Sequence, residues 1–137
     1  MSADRRRILV VDDAERERRD TARILGEAGY AVDTAASKAE VVRLLGQHGY
    51  DLVLADLKMH ELNGPALYQL LKECCRTVPA VIFRIERGYT PEYANFLMRQ
   101  AAPVLMKPVA AADLCLAVER HLPPRPAAPR AASSLAS

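Results

Sequence analysis

The chain has 137 residues, a length that fits one domain with a short appendage and excludes a second folded module. Half of the residues (50%) are hydrophobic and 26% are charged, which is typical of a globular chain and excludes a disordered or membrane-embedded one. The formal net charge is only +2, so the composition gives no support for nucleic acid or an anionic membrane as a partner.

The cysteines and the N-terminal residues indicate the compartment. The cysteines are odd in number, and Cys74 and Cys75 are adjacent, so they form neither a disulfide framework nor a zinc-binding pattern. They are typical of reduced thiols in a cytosol. The apolar run over residues 8–11 is too short for a signal peptide or a membrane span. We therefore expect a cytoplasmic protein.

The first half of the chain alternates predicted strands and helices. Residues 8–11 are rich in β-branched side chains, which is typical of a strand covered on both faces. A helix is predicted over residues 14–28, followed by Gly29 at the position of a left-handed cap. Residues 30–35 predict a second strand. Ser37 and Glu40 have the spacing of a capping box that begins a second helix, which Gly46 and Gly49 end.

The second half of the chain continues this alternation. Its predicted elements, in chain order, are a strand over residues 51–55, a helix from Gly64-Pro65, a strand over residues 80–83, a helix from residues 90–92, a strand over residues 104–106 and a helix over residues 110–122. On the third helix, Leu67, Leu70, Leu71 and Cys74 are predicted to share the core-facing side.

Strands that alternate with helices at this spacing predict a doubly wound α/β fold. Right-handed crossovers pack each helix against the sheet, so a five-stranded parallel sheet has helices on both faces. The domain is predicted over residues 1–122. Residues 123–137 are rich in Pro and Ala and contain no acidic residue, so we expect a tail or linker there.

Acidic residues follow two predicted strands at their carboxyl ends, where ligands bind in open parallel sheets. Asp12 and Asp13 follow the first strand, and Asp56 follows the third. If these strands are neighbours, the carboxylates share one edge, where their mutual repulsion favours a divalent cation. Mg²⁺ prefers oxygen ligands, so we expect these carboxylates and a backbone carbonyl of the loop at Lys58 to hold it.

Lys107 follows the fifth strand and brings a cation to the same edge. An ammonium group beside metal-binding acids is a counter-charge for a second anion, and phosphate is the obvious candidate. Asp56 would then accept a phosphoryl group, with Lys107 and the metal neutralising the charge that develops. Taken alone, Asp12 and Asp13 could be helix caps and Lys107 could be solvated, but their combination favours a site.

Several sequence features together resemble the receiver domain of two-component response regulators. They are Ile8-Leu9-Val10-Val11-Asp12-Asp13, Asp51-Leu52-Val53-Leu54-Ala55-Asp56, Gly64, Pro79 and Lys107-Pro108. The resemblance covers roughly residues 7–122. It implies a flavodoxin-like fold of the receiver type and a phosphoacceptor signalling domain in place of an enzyme.

The resemblance also implies roles for individual residues. Asp56 would be phosphorylated by a histidine kinase or phosphotransfer protein in a magnesium-dependent reaction, and Lys107 would hold the phosphoryl group. Asp13 would contact the metal directly and Asp12 through water. The Lys107-Pro108 bond is often cis in that family. The expected output is a changed surface around the fourth helix and fifth strand, read by a downstream protein, in a monomer or weak homodimer.

Three positions depart from the receiver pattern. Receivers usually carry Ser or Thr at the end of the fourth strand and an aromatic residue on the fifth. This chain has Arg84, or in an alternative alignment Ile85, at the first of these positions and Val104 at the second. His60 replaces the usual proline after Met59. The usual switch is therefore in doubt. We hypothesise that Arg84 binds the phosphoryl oxygens; in the alternative, it pairs with Asp56 before phosphorylation.

Other functions remain open at this point. A pseudo-receiver would act as a protein-interaction module without phosphorylation; the missing switch residues favour it and the retained acids oppose it. A metal-dependent phosphatase is disfavoured because Lys58 stands where a general acid is needed. Tyr89, Tyr93 and Phe96 around the fourth helix fit a partner surface and a buried core equally well.

Overall fold

The computed structural model describes residues 5–86 and 91–124. Over these residues, strands and helices alternate without exception. In chain order the elements are β1 (Arg7–Val11), α1 (Glu15–Glu27), β2 (Ala31–Ala35), α2 (Lys38–Gln47), β3 (Leu52–Asp56), α3 (Gly64–Cys74), β4 (Ala80–Ile85), α4 (Pro91–Gln100), β5 (Val104–Met106) and α5 (Ala111–His121).

The strands form one parallel sheet in the order β2-β1-β3-β4-β5, which confirms the predicted doubly wound fold. β1 and β3 are neighbours, and Val11 pairs with Ala55. On the other side of β3, Asp56 pairs with Arg84. The carboxyl ends of β1, β3, β4 and β5 therefore meet at one edge of the sheet, where a parallel sheet exposes its loops.

Alternate residues of the central strands pack into two apolar clusters, one on each face of the sheet. Leu9 and Val53 belong to the cluster covered by α2, α3 and α4. Ile8 and Leu52 belong to the cluster covered by α1 and α5. Continuous apolar strands are required because both faces of β1 and β3 are buried.

The predicted N-cap of α2 at Ser37 is confirmed, but the second hydrogen bond of the capping box comes from the residue before the N-cap. The Ser37 hydroxyl accepts a hydrogen bond from the Glu40 N–H (3.2 Å), while the Glu40 carboxylate accepts one from the Ala36 N–H (2.6 Å). The helix ends at Gln47 with His48 as its C-cap, between the two glycines, Gly46 and Gly49, that were predicted to end it. One exposed glycine near a helix end does not remove enough helix propensity to stop the helix.

Two predictions at element boundaries are wrong. Cys74 is exposed, and it is Cys75, beyond the end of α3, that packs partly against the core. β4 extends to Ile85, two residues past its predicted end at Phe83, so Arg84 lies inside a strand. The sequence predicted the strand to end before Arg84 because a charged residue usually lies outside a buried strand. The partners that allow Arg84 to be buried are distant along the chain and could not be recognised in the sequence.

Phe96 on α4 belongs to the core. It is buried, and its ring centroid lies 5.7 Å from that of Phe83 and 6.0 Å from that of Tyr68. Tyr93 packs partly against the same cluster, whereas Tyr89 lies outside the described residues. The core interpretation therefore holds for Phe96. Among the described residues, no helix combines the length and hydropathy needed to cross a bilayer.

Candidate functional site

Three carboxylates meet at the carboxyl edge of the sheet. One oxygen each of Asp12, Asp13 and Asp56 lies within 4.8 Å of the others. Asp12 is only 1% exposed, Asp56 is half-buried and Asp13 is exposed. We call these three residues the acid cluster. Because burial decreases from Asp12 through Asp56 to Asp13, the cluster is open to solvent on the Asp13 side.

Backbone N–H groups of the surrounding loops hold the three carboxylates in place. Oδ1 of Asp12 accepts a hydrogen bond from the Ala14 N–H (2.9 Å), and Oδ2 of Asp13 accepts one from the His60 N–H (3.2 Å). Oδ1 of Asp56 accepts one from the Lys58 N–H (3.3 Å), while the Lys58 side chain is exposed. The loop after β3 therefore orients two of the three acids: Asp56 at the end of β3, and Asp13 in the loop after β1.

Lys107, directly after β5, reaches the acid cluster. Its Nζ lies 3.3 Å from Oδ2 of Asp56 and 3.5 Å from Oε1 of Glu17, and its bond to Pro108 is cis. Burial lowers the pKa of Lys107, but the carboxylates of Asp56 and Glu17 outweigh burial and raise that pKa above its ordinary value. The ammonium therefore stays charged beside Asp56.

Arg84 occupies the buried side of the acid cluster. Side chains alternate along β4, and Ile82 belongs to the cluster under α1, so Arg84 points to the same face. Its Nη2 lies 2.7 Å from Oδ2 of Asp12, and its Nη1 donates a hydrogen bond to the hydroxyl of Thr21 on α1. Only 6% of Arg84 is exposed.

The Arg84 ion pair corrects one expectation from the sequence. The alternative in which Arg84 pairs with Asp56 is wrong in its partner, because the guanidinium contacts Asp12. The cationic partner of Asp56 is the Lys107 ammonium. Although Asp56 and Arg84 are register neighbours, the Arg84 side chain reaches past β3 to the loop after β1.

The environment of Asp12 is that of a buried charge with a partner. Burial raises the pKa of Asp12 above its ordinary value, while the Ala14 N–H and the Arg84 guanidinium act in the opposite direction. A buried carboxylate without such partners would be strongly destabilising. Arg84 is therefore part of what makes the cluster compatible with a folded chain.

Two residues near the cluster were missed in the sequence. Glu17 and Thr21 lie four residues apart on α1. Residues four apart share one helix face, so this spacing was the available signal.

Val104 contributes to the surface: it is 41% exposed on β5, where it pairs with Phe83.

Comparisons with known proteins agree with this arrangement. The sequence model of the response regulator receiver domain matches residues 8–119. Sensor kinase CckA of Brucella abortus is 32% identical over 119 residues, which are 84% of this chain and 12% of that kinase's length. The chain thus corresponds to a small part of that relative.

Solved receiver domains share the fold. The response regulator receiver domain protein from Clostridium thermocellum superposes with a TM-score of 0.73 at 30% identity, covering 85% of this chain and 93% of the other. The receiver domain of NtrX from Brucella abortus gives a TM-score of 0.74 at 30% identity, covering 84% and 97% of the two chains.

Proposed function

The chain belongs to the response regulator receiver domains of two-component systems, and on this premise we propose that it accepts a phosphoryl group on Asp56. The donor is a histidine kinase or a phosphotransfer protein; the similarity to a sensor kinase supports this pairing. The observation that carries the proposal is the acid cluster with the Lys107 ammonium 3.3 Å from Asp56.

Asp56 is suited to act as the acceptor. One of its carboxylate oxygens attacks phosphorus, the bond from phosphorus to the donor breaks, and the donor atom keeps the electron pair of that bond. Charge accumulates on the transferring oxygens, and the Lys107 ammonium lies close enough to Asp56 to neutralise part of it. No external substrate is turned over, so the domain acts as a regulator.

The acid cluster has the donor chemistry of a magnesium site. Its carboxylate oxygens are hard ligands within 4.8 Å of one another, and we propose that the Lys58 carbonyl completes the set. When bound, Mg²⁺ neutralises the acids and the oxygens of the incoming group. Asp13, the most exposed of the three acids, is the most accessible ligand. Direct contact of Arg84 with the phosphoryl oxygens stays a prediction.

The output surface is proposed around α4 and β5 of a cytoplasmic monomer or weak homodimer. Apolar side chains are exposed there: Met98 on α4, and Val104 and Met106 on β5. Such side chains favour contact with a downstream protein. We propose that this domain occupies residues 1–122, with residues 123–137 as a tail or linker.

The acceptor is tested by incubating the full chain with acetyl phosphate and MgCl₂ and measuring intact mass. We expect a gain equal to one phosphoryl group, lost in Asp56→Asn and on addition of EDTA. Asp113→Asn is the matched control, because it removes an exposed carboxylate on α5 with the same change in charge. It should gain mass as the parent chain does.

Two results would contradict the proposal. A folded parent chain that gains no mass from acetyl phosphate or from a kinase would act as a pseudo-receiver. A mass gain that persists in Asp56→Asn would place the acceptor elsewhere.

A further inference from the structure

The acid cluster already holds a cation on its buried side. The Arg84 guanidinium contacts Oδ2 of Asp12 at 2.7 Å and the hydroxyl of Thr21, and it is almost fully buried. Oδ1 of Asp12 accepts the Ala14 N–H. Each oxygen of Asp12 therefore has a protein donor, and one of these donors is a full positive charge.

The charges around the cluster show what Arg84 changes. The three carboxylates and Glu17, which pairs with Lys107, carry four negative charges. Arg84, Lys107 and Arg18, whose Nη1 donates to the Asp12 carbonyl (3.0 Å), supply three positive charges, which leaves one negative charge. Without Arg84, two negative charges would remain, which matches a divalent ion. A guanidinium within a few ångströms also repels an incoming dication, and the repulsion is strong where burial limits screening by water.

We propose that Arg84 is a resident counter-cation that withholds Asp12 from the divalent ion, so that the cluster binds Mg²⁺ weakly through Asp13 and Asp56. This inference rests on the proposed magnesium site and concerns how that site is regulated. Arg84 is a specificity-determining residue here, because it decides how many carboxylates the ion can use. Removing its charge therefore strengthens metal binding.

A second consequence concerns folding. Asp12 is buried, and Arg84 is its cationic partner, so the parent chain needs no metal to compensate that carboxylate. If Arg84 is replaced by an uncharged residue, Asp12 becomes a buried charge without its partner. The variant then takes Mg²⁺ in place of the guanidinium, and its stability depends on the metal.

The experiment titrates the full chain with MgCl₂ and follows the backbone amide signals of Asp13, Lys58 and His60 by NMR. Arg84→Met removes the charge and keeps an unbranched side chain, whereas Arg84→Lys keeps the charge. We expect the Kd for Mg²⁺ to fall roughly tenfold or more in Arg84→Met and to change little in Arg84→Lys. Urea unfolding should show a larger stabilisation by MgCl₂ in Arg84→Met than in the parent chain.

Two control variants separate this effect from a general loss of positive charge. Arg23→Met removes an equal charge from an exposed position on α1, where Arg23 pairs with Glu27, and should leave the Kd unchanged. The double variant Arg84→Met/Asp12→Asn removes the buried pair as a unit. Its Kd should return to the value of the parent chain, because the carboxylate that Arg84 had withheld is gone.

Each remaining outcome would overturn the inference. An Arg84→Met chain that binds Mg²⁺ no more tightly than the parent shows that Arg84 does not compete with the ion. An Arg84→Met chain that stays unfolded in saturating MgCl₂ shows that the metal cannot replace the guanidinium. A double variant that binds Mg²⁺ far more weakly than the parent shows that Asp12 is already a ligand beside Arg84.

The measurement needs no phosphoryl donor, so it distinguishes this inference from the proposed function. A parent chain that binds Mg²⁺ but is never phosphorylated contradicts the proposed function and leaves the role of Arg84 standing. If Asp56 is phosphorylated but the parent chain and Arg84→Met bind Mg²⁺ with equal affinity, the proposed function stands and the role of Arg84 is contradicted.

Discussion

Gly64, the first residue of α3, shows how tightly single positions are packed beside the site. It is buried, and its N–H donates to the Leu57 carbonyl at 2.8 Å. A Cβ at this position would lie 2.5 Å from Leu57 Cδ1 and 3.2–3.3 Å from the rings of Phe96 and Phe83. All three neighbours are themselves buried, so none can move aside without disturbing the core.

We therefore expect Gly64→Ala to lower the free energy of unfolding by about 1–3 kcal/mol, measured by urea denaturation. Gly46→Ala is the matched control. Gly46 lies in α2, and a Cβ there meets nothing within 4 Å, so the change should raise the free energy of unfolding by about 0.5–1 kcal/mol. Equal effects of the two substitutions would show that close packing at Gly64 is not what requires glycine.

At the residue scale, the sequence predicted positions better than partners. Asp12, Asp13, Asp56 and Lys107 could be located because each comes after an apolar run at the carboxyl end of a strand, and parallel strands bring such residues to one edge. The contacts of Arg84 could not be predicted, because they join residues 63 and 72 positions apart along the chain. No local pattern marks a pairing that exists only after the sheet has formed.

The starts of the helices differ in how well they are capped. Ser37 and Asn63 cap α2 and α3 through their side chains, whereas α5 begins after Ala110, whose methyl group cannot accept a hydrogen bond. Ala110 has the extended backbone of an N-cap (φ −69°, ψ 148°) and is exposed. A hydroxyl placed there has the geometry to accept a free N–H of the first turn.

Ala110→Ser should accordingly stabilise the chain by about 1 kcal/mol, with thermal or urea unfolding as the measurement. Ala111→Ser introduces the same hydroxyl one position later, inside α5, where it cannot cap the helix. This control should give no gain. If both variants had the same stability, capping would not explain a gain in Ala110→Ser.

The sequence predicted the boundary of a helix or strand only where the interactions that set it join residues close together in the chain. The start of α2 could be predicted because the Ser37–Glu40 pair acts within four residues. The end of β4 could not, because Arg84 continues the strand on account of its buried partners on other elements. Phe96 was ambiguous for the same reason: its contacts with Phe83 and Tyr68 come from different elements.

Across the whole molecule, the two edges of the sheet have different ionic networks. At the amino edge, the Tyr50 hydroxyl donates to Oδ2 of Asp33 (2.7 Å), which also pairs with Arg7 (3.0 Å). The Arg7 N–H donates to Asp51 (2.7 Å), so this network joins β1 to β2 and to the start of β3. Burial raises the pKa of Tyr50 well above its ordinary value of 10.0, and the hydrogen-bonded Asp33 carboxylate raises it further.

This raised pKa predicts a loss of stability in alkali. Above pH 10 the unfolded chain ionises Tyr50 while the folded chain keeps the proton, so unfolding releases a proton. The free energy of unfolding should then fall as pH rises above about 10, by up to about 1.4 kcal/mol per pH unit. Tyr50→Phe should show a shallower fall between pH 9 and 11.5, measured by urea unfolding at each pH. Parallel curves for the two chains would contradict the assignment to Tyr50.

The order of the strands also determines when the site can exist. Each strand after β1 pairs with one that precedes it in the chain: β2 and β3 with β1, β4 with β3, and β5 with β4. A chain emerging from the ribosome, amino end first, can therefore extend its sheet outward without waiting for a later strand. Lys107 follows the last strand to be made, so newly synthesised chains acquire their acids and Arg84 before the lysine that completes the pocket.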